Sequence, residues 1–108
     1  MANNNASLCK TPSELGYRMP AEWEQHEAIW LAWPYDPTTF PDRVERVEKT
    51  YVEIVKYIHE SEIVNLFVKD EAMKEKVARM LLAAGVDLAR LRFHVFGYAD
   101  VWFRDYGP

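Results

Sequence analysis

The residues that could do chemistry are concentrated near the carboxyl end of the chain. Between positions 100 and 105 the sequence places two carboxylates, Asp100 and Asp105, the indole of Trp102 and the guanidinium of Arg104. Two acids and an aromatic face suit a flat cationic ligand such as a guanidinium group. The carboxylates would pair with its N–H fork, and the ring would stack on its plane. Arg104 would repel such a ligand, so we expect it to form a structural ion pair with a carboxylate.

The spacing of these residues sets a condition on the backbone. In a regular strand, Asp100, Trp102 and Arg104 would lie on one face and Asp105 on the other. Trp102 and Asp105 can therefore share a ligand only if the chain turns between them, which the Gly-Pro sequence within residues 106–108 favours. Spacing alone leaves a structural alternative equally open, in which this segment is a strand end with an Arg–Asp ion pair and a core tryptophan.

A second aromatic cluster lies much earlier, with tryptophans at positions 23, 30 and 33. These rings could form an aromatic wall for a ligand or could anchor the core. We expect Trp23 and Trp30 to be core residues. Trp33, at the carboxyl end of the first predicted strand, is better placed to bind a substrate.

The composition limits the class of protein. A length of 108 residues with 49% hydrophobic side chains suits one globular domain, and a net charge of -4 disfavours nucleic acid as a partner. We expect no membrane partner, because no apolar run approaches the length of a bilayer span. The amino terminus does not resemble a signal peptide, and Cys9 is the only cysteine, so we expect a cytoplasmic protein in which Cys9 is an incidental thiol.

Two common kinds of site are not indicated. The three histidines and the single cysteine lack the short spacings typical of metal sites, so we expect no metal. No glycine-rich phosphate motif is present either, so the order of elements does not by itself indicate nucleotide binding.

Hydrophobic periodicity predicts alternating strands and helices after a flexible lead-in at residues 1–16. Strands are predicted at residues 27–33, 63–68 and 91–96. An amphipathic helix is predicted at 41–60, with Thr39 as its cap and its charged side, which includes Glu48, in solvent. A second helix is predicted to begin at Asp70 and to end at Gly85.

The resulting β-α-β-α-β order predicts an α/β module over residues 17–108 with a parallel sheet. Ligands of such sheets bind beyond the carboxyl ends of the strands. Residues 100–105 come just after the third predicted strand, so pattern and chemistry indicate the same edge of the sheet.

Two motifs together resemble a known family. Residues 16–23 with His26, Trp30 and Trp33, followed by residues 100–108, are similar to the start of agmatine deiminases, within the bacterial-type peptidylarginine deiminase group. The resemblance extends from about Leu15 to the last residue. It implies that the module is one part of a pentein, a five-bladed α/β propeller.

The resemblance also implies an activity. Family members hydrolyse a guanidinium to a urea and release ammonia, without a metal or organic cofactor. Agmatine, a small cationic guanidinium substrate, would become N-carbamoylputrescine on the way to putrescine. The family mechanism uses a cysteine nucleophile and a histidine as general acid and base.

Carried onto this sequence, the resemblance assigns Asp105 as the catalytic aspartate that binds the guanidinium and Trp102 as the aromatic beside the alkyl chain. Asp100 opens the motif and is expected to position the loop or the substrate. Ala99 departs from the polar residue that many members carry there. Cys9 and His26 do not match the nucleophile and the histidine, which belong to later modules, so we expect this chain alone to be inactive.

Two alternatives remain open at this point. The first is a peptidylarginine deiminase, which would differ in how the remote end of the substrate is accommodated. The second is a non-catalytic module that binds guanidinium ligands or associates with copies of itself. Exposed strand edges would favour such association, so a homo-oligomer is possible.

Overall fold

A computed structural model describes residues 9–102 and 105 of the chain. Its elements are, in chain order, strand β1 (Ala28–Ala32), helix α1 (Val44–Ile58), strand β2 (Ile63–Val68), helix α2 (Glu71–Ala83), a short 3₁₀ turn (Leu88–Arg90) and strand β3 (Leu91–Val95). The predicted β-α-β-α-β order is confirmed. The bounds of β2 match the prediction, and the other strands and α1 are a few residues shorter.

The three strands form one parallel sheet in the order β1-β2-β3. Ala28 pairs with Ile63, and Val64 pairs with Leu91, so the strands start almost level. Because parallel strands run in one direction, the segments that follow all three strands leave the sheet at the same edge. In the described part of the chain, β1 and β3 are the edge strands. Self-association through them stays a prediction.

The core lies between the sheet and the two helices. Val64, Leu66 and Val68 alternate along β2, so they share one face, and all three are fully buried. They belong to one hydrophobic cluster with residues of both helices, namely Val52 and Val55 of α1 and Val77 and Leu81 of α2. Both helices therefore cover the same face of the sheet.

The opposite face carries an aromatic and polar cluster. The ring of Trp30 stacks on His94 with centroids 4.9 Å apart, and Phe67 contacts both rings edge-on. His94 Nε2 lies 2.9 Å from Oδ1 of Asn65. The prediction that Trp30 is a core residue is wrong, since 43% of its surface is exposed. Alternation along β1 places it on the face opposite the helices.

The start of α1 differs from the prediction. The helix begins at Val44 after Arg43, whose side chain makes no capping hydrogen bond, so Thr39 is not the cap. Backbone bonds from Phe40 to Asp36 and from Arg43 to Phe40 form turns before the helix, and Asp42 adopts a positive φ of 55°. These turns separate Thr39 from the first helical residue, and its hydroxyl bonds elsewhere.

Glu48 corrects the expectation that the charged side of α1 is solvated throughout. Its side chain is buried, and its two oxygens have different partners. Oε2 accepts a hydrogen bond from the indole N–H of Trp33, with Nε1 2.8 Å away. Oε1 accepts one from the ammonium of Lys76, with Nζ 3.0 Å away. A buried carboxylate is tolerated here because both oxygens are bonded and one partner carries the opposite charge.

Helix α2 confirms both predicted ends. The carboxylate of Asp70 accepts the backbone N–H of Met73 at 2.8 Å, which caps the amino end. Gly85 follows the carboxyl end with φ 87°, while the N–H of Val86 reaches back to the carbonyl of Leu81 at 3.0 Å. A residue in the left-handed conformation at this position lets the following backbone N–H groups bond to the last carbonyls of the helix.

We expect Gly85→Ala to lower the free energy of unfolding by about 1 kcal/mol, since a Cβ is unfavourable in the left-handed region. The added methyl would meet nothing within 4 Å, so the cost isolates the backbone conformation. Gly97→Ala is the matched control, because that position is also open and has no positive φ. Urea denaturation followed by circular dichroism measures both variants. Equal losses for the two would contradict this account.

Candidate functional site

The carboxyl edge of the sheet gathers three segments. Residues 33–40 follow β1, residues 69 and 70 follow β2, and residues 96–105 follow β3. The last segment contains the predicted guanidinium-binding residues Asp100, Trp102 and Asp105. The sheet therefore brings them to the edge at which ligands of parallel sheets bind.

Hydrogen bonds from two tyrosines connect the segment after β3 to the segment after β1. Tyr98 is buried, and its hydroxyl donates to the carbonyl of Trp33 at 2.6 Å. In the reverse direction, the hydroxyl of Tyr35 donates to the carbonyl of Tyr98 and lies 3.1 Å from that of Ala99. The two rings meet edge-on with centroids 5.3 Å apart. The backbone just before Asp100 is thus held from both sides.

The Asp100 carboxylate is itself fixed. Its Oδ2 accepts the hydroxyl of Thr39 at 2.7 Å, and its Oδ1 accepts the backbone N–H of Val101 at 2.7 Å. Asp100 is half-buried, so these bonds act in a partly dry environment. The geometry suits a residue that positions the loop. Its contact with a substrate stays a prediction.

The chain turns after Trp102. The N–H of Asp105 donates to the carbonyl of Trp102 at 3.0 Å, a bond between residues three positions apart that is typical of a turn. Asp105 is exposed, and 58% of the Trp102 surface is exposed. A turn between Trp102 and Asp105 is what the spacing of these residues requires if the two side chains are to share a ligand. Arg104 lies outside the described residues, so its ion pair stays a prediction.

The tryptophans of the early cluster occupy places that differ from expectation. Trp23 is 88% exposed, so its prediction as a core anchor is wrong. The side chain of Trp33 is fully buried, packs edge-on against Tyr51 and donates to Glu48. Trp33 thus meets the site through its backbone carbonyl rather than its ring. Binding of substrate by that ring stays a prediction.

The segment before β1 holds its own short-range contacts. Arg18 forms an ion pair with Glu24 at 3.1 Å, and the N–H of Ala21 donates to the same carboxylate at 2.6 Å. The Arg18 guanidinium, followed by the Ala21 N–H, lowers the pKa of Glu24 below its usual value. Thr11 and Glu14 bond to each other's backbone N–H. The predicted boundary near residue 17 stays a prediction, and residues 1–8 lie outside the described part.

A cleft of about 340 Å³ lies beside the site, between the amino ends of the two helices. Tyr35, Glu48 and Asp70 contribute to its walls, and so do Lys69 and Lys76. The ammonium of Lys69 sits 4.7 Å from the centroid of the Tyr35 ring. The two lysines balance the two carboxylates, and Lys76 is already paired with Glu48, so the walls offer no excess negative charge to attract a cationic ligand. The candidate guanidinium site is therefore the 100–105 segment and not this cleft.

Sequence reasoning missed three residues that build this site, Thr39, Tyr35 and Tyr98. Their only signal is position, since all three follow strands at the carboxyl edge.

Among residues 9–102 and 105, no group of three histidine, cysteine, aspartate or glutamate side chains could hold a metal ion. Within the same residues, no helix has the length and apolar character that a membrane crossing requires.

Comparison with known proteins points to deiminases. A putative agmatine deiminase of Streptomyces avermitilis is 35% identical over 91% of this chain, and the agmatine deiminase of Stutzerimonas stutzeri is 30% identical over 94%. The chain spans about a quarter of the length of these relatives, 27% and 26% respectively.

The fold has a counterpart among solved structures. The agmatine deiminase of C. jejuni superposes with a TM-score of 0.64 and 24% identity, over 80% of this chain and 25% of that one. The family model described as Porphyromonas-type peptidyl-arginine deiminase matches residues 18–108, which include both β-α units and the whole carboxyl-edge segment. The chain therefore belongs to the Porphyromonas-type peptidyl-arginine deiminase family.

Proposed function

We propose that this chain supplies the guanidinium-recognition part of an agmatine deiminase-type hydrolase. The reaction converts agmatine and water to N-carbamoylputrescine and ammonia, a step toward putrescine. In this proposal residues 17–108 are the first module of a five-bladed α/β propeller, preceded by a lead-in at residues 1–16, and the enzyme is cytoplasmic.

One observation carries the proposal, namely the turn that joins Trp102 and Asp105 immediately after the fixed carboxylate of Asp100. The exposed indole can cover the flat face or alkyl chain of the ligand, while the exposed carboxylate of Asp105 accepts its N–H groups. Asp100 adds a second negative charge at the same edge. Agmatine offers the matching chemistry, a planar cation on a short apolar chain.

The chemical step divides between this chain and the rest of the family's domain. Asp105 would hold the guanidinium nitrogens so that the central carbon faces the nucleophile. The resemblance assigns the nucleophilic cysteine and the histidine to later modules, and Cys9 is an exposed thiol that precedes β1. A thiolate would attack the guanidinium carbon and a C–N bond would break to release ammonia, after which water would displace the thiolate to give the urea. No oxidation state changes, so the proposed reaction needs no redox cofactor. We expect this chain alone to bind agmatine without releasing ammonia.

The proposal is tested by titrating agmatine into the chain while the four tryptophan indole N–H signals are followed by two-dimensional NMR. Trp102→Phe identifies the Trp102 signal. We expect that signal to shift in a saturable way, while the signal of buried Trp33, bonded to Glu48, stays in place. The diamine 1,5-diaminopentane, which lacks the guanidinium, is the control ligand. An equal response to both ligands would contradict guanidinium recognition, and ammonia release at an enzymatic rate would contradict the expected inactivity.

The family description favours a second substrate class, peptidyl-arginine. The same titration with Nα-acetylarginine amide separates the two, because this compound carries the guanidinium next to a blocked backbone. Tighter binding of agmatine would support agmatine as the substrate class. Tighter binding of the blocked arginine would move the proposal to peptidyl-arginine.

A further inference from the structure

We propose that Thr39 is a positioning residue that holds the Asp100 carboxylate in the orientation used for substrate binding. This inference rests on the proposed function, because it assigns Asp100 a role in guanidinium recognition. The Thr39 hydroxyl donates to Asp100 Oδ2 at 2.7 Å across 61 positions of sequence. It thereby joins the segment after β1 to the segment after β3.

Both ends of this bond are held in place before any ligand arrives. On the donor side, Asp36 Oδ1 accepts the N–H of Thr38 at 2.8 Å, and the Asp36 carbonyl accepts the N–H of Phe40 at 3.1 Å. These two bonds enclose Thr39 in a turn. On the acceptor side, the carbonyls of Tyr98 and Ala99 are bonded by the Tyr35 hydroxyl. The bond from Thr39 therefore acts on the Asp100 side chain, while the backbone just before it is held by Tyr35.

The chemistry of the donor fits this role. The hydroxyl bonds one carboxylate oxygen and the Val101 N–H bonds the other, so rotation of the carboxylate breaks at least one bond. Both of these donors are neutral, so neither of them cancels the negative charge of the carboxylate. A lysine or arginine at position 39 would fix the carboxylate equally well but would cancel that charge.

The test compares Thr39→Val, which keeps the shape and removes the hydroxyl, with Thr39→Ser, which keeps the hydroxyl. Thr38→Val is the matched control, because Thr38 is the neighbouring exposed threonine and its bond to Asp36 uses the backbone N–H. Two quantities are measured in each variant. The first is the agmatine dissociation constant. The second is the set of Asp100 Hα–Hβ scalar couplings, which report whether the side chain occupies one rotamer or averages over several.

We expect Thr39→Val to weaken agmatine binding about fivefold, in line with the loss of a hydrogen bond to a charged group, and to average the Asp100 couplings. Thr39→Ser and Thr38→Val should stay within about twofold of the parent chain and keep one Asp100 rotamer. Unchanged couplings in Thr39→Val would overturn the proposal, as would averaged couplings with unchanged affinity.

The couplings also separate this proposal from the proposed function. If the parent chain does not bind agmatine, guanidinium recognition by this chain fails, and the couplings alone decide the positioning claim. Averaging in Thr39→Val that Thr39→Ser restores still supports a hydroxyl that orients Asp100. Averaging in both variants would overturn it, because the loss would then follow from packing and not from the hydroxyl.

Discussion

Replacing Trp33 with alanine is expected to lower the free energy of unfolding by about 4 kcal/mol, the range seen when large buried aromatic side chains are truncated. The Trp33 ring is fully buried in the cluster formed by the sheet and both helices. Its removal leaves a cavity beside Tyr51 and takes the indole N–H away from the buried carboxylate of Glu48. Equilibrium unfolding in urea, followed by far-ultraviolet circular dichroism, measures the loss.

Trp33→Phe separates packing from hydrogen bonding. This variant keeps most of the ring and removes the indole N–H, so Glu48 retains only the ammonium of Lys76 among the two partners described above. We expect a smaller loss of about 1–2 kcal/mol, as for a buried acceptor that loses one donor. If alanine and phenylalanine at position 33 cost the same, the hydrogen bond rather than the ring would dominate at this position, contrary to our account.

The second large effect concerns the candidate site. Asp105→Asn is expected to weaken agmatine binding about twentyfold, because the neutral amide loses the charge that attracts the guanidinium and one of its two oxygen acceptors. Asp105 is exposed, and its bond to the Trp102 carbonyl is made by the backbone N–H, so the folded chain should tolerate the change. The dissociation constant is measured from the shift of the Trp102 indole signal.

Asp87→Asn is the matched control for this experiment. Asp87 lies before the 3₁₀ turn that leads into β3, and β3 separates it from the edge that carries Asp105. Asparagine can still accept the N–H of Ala89 as a cap, so the variant removes the same charge with little structural effect. Equal weakening by both variants would show that net charge, and not the carboxylate at position 105, sets the affinity.

The order and kinds of element could be predicted from the sequence because they depend on short-range patterns. The recurrence of apolar residues every three or four positions along α1, the continuous apolar run of β2 and the cap at Asp70 are all patterns among residues close together in sequence. Parallel pairing follows from helices between successive strands. The carboxyl edge, and the position of Asp100, Trp102 and Asp105 after the third strand, therefore follow from the sequence pattern.

Which aromatic side chains are buried depended on tertiary structure. Trp30 and Trp33 are three positions apart, so alternation puts them on opposite faces of the sheet, but it does not say which face the helices cover. Only the packing of both helices against Val64, Leu66 and Val68 decides that Trp33 is buried and Trp30 is half-exposed. Glu48 is buried for the same reason, since its partners Trp33 and Lys76 come from other elements.

The hydrogen bonds that hold the candidate site could not be predicted from the sequence either. Thr39 carries the pattern of a helix cap, yet its hydroxyl bonds Asp100, and the hydroxyls of Tyr35 and Tyr98 join segments that are more than 60 positions apart. Residue types and local spacing determined the chemistry that this protein presents, because side-chain charge and shape are properties of single residues. The tertiary structure decided which residues hold that chemistry in place, because a hydrogen bond between distant segments forms only once the sheet has brought their ends together.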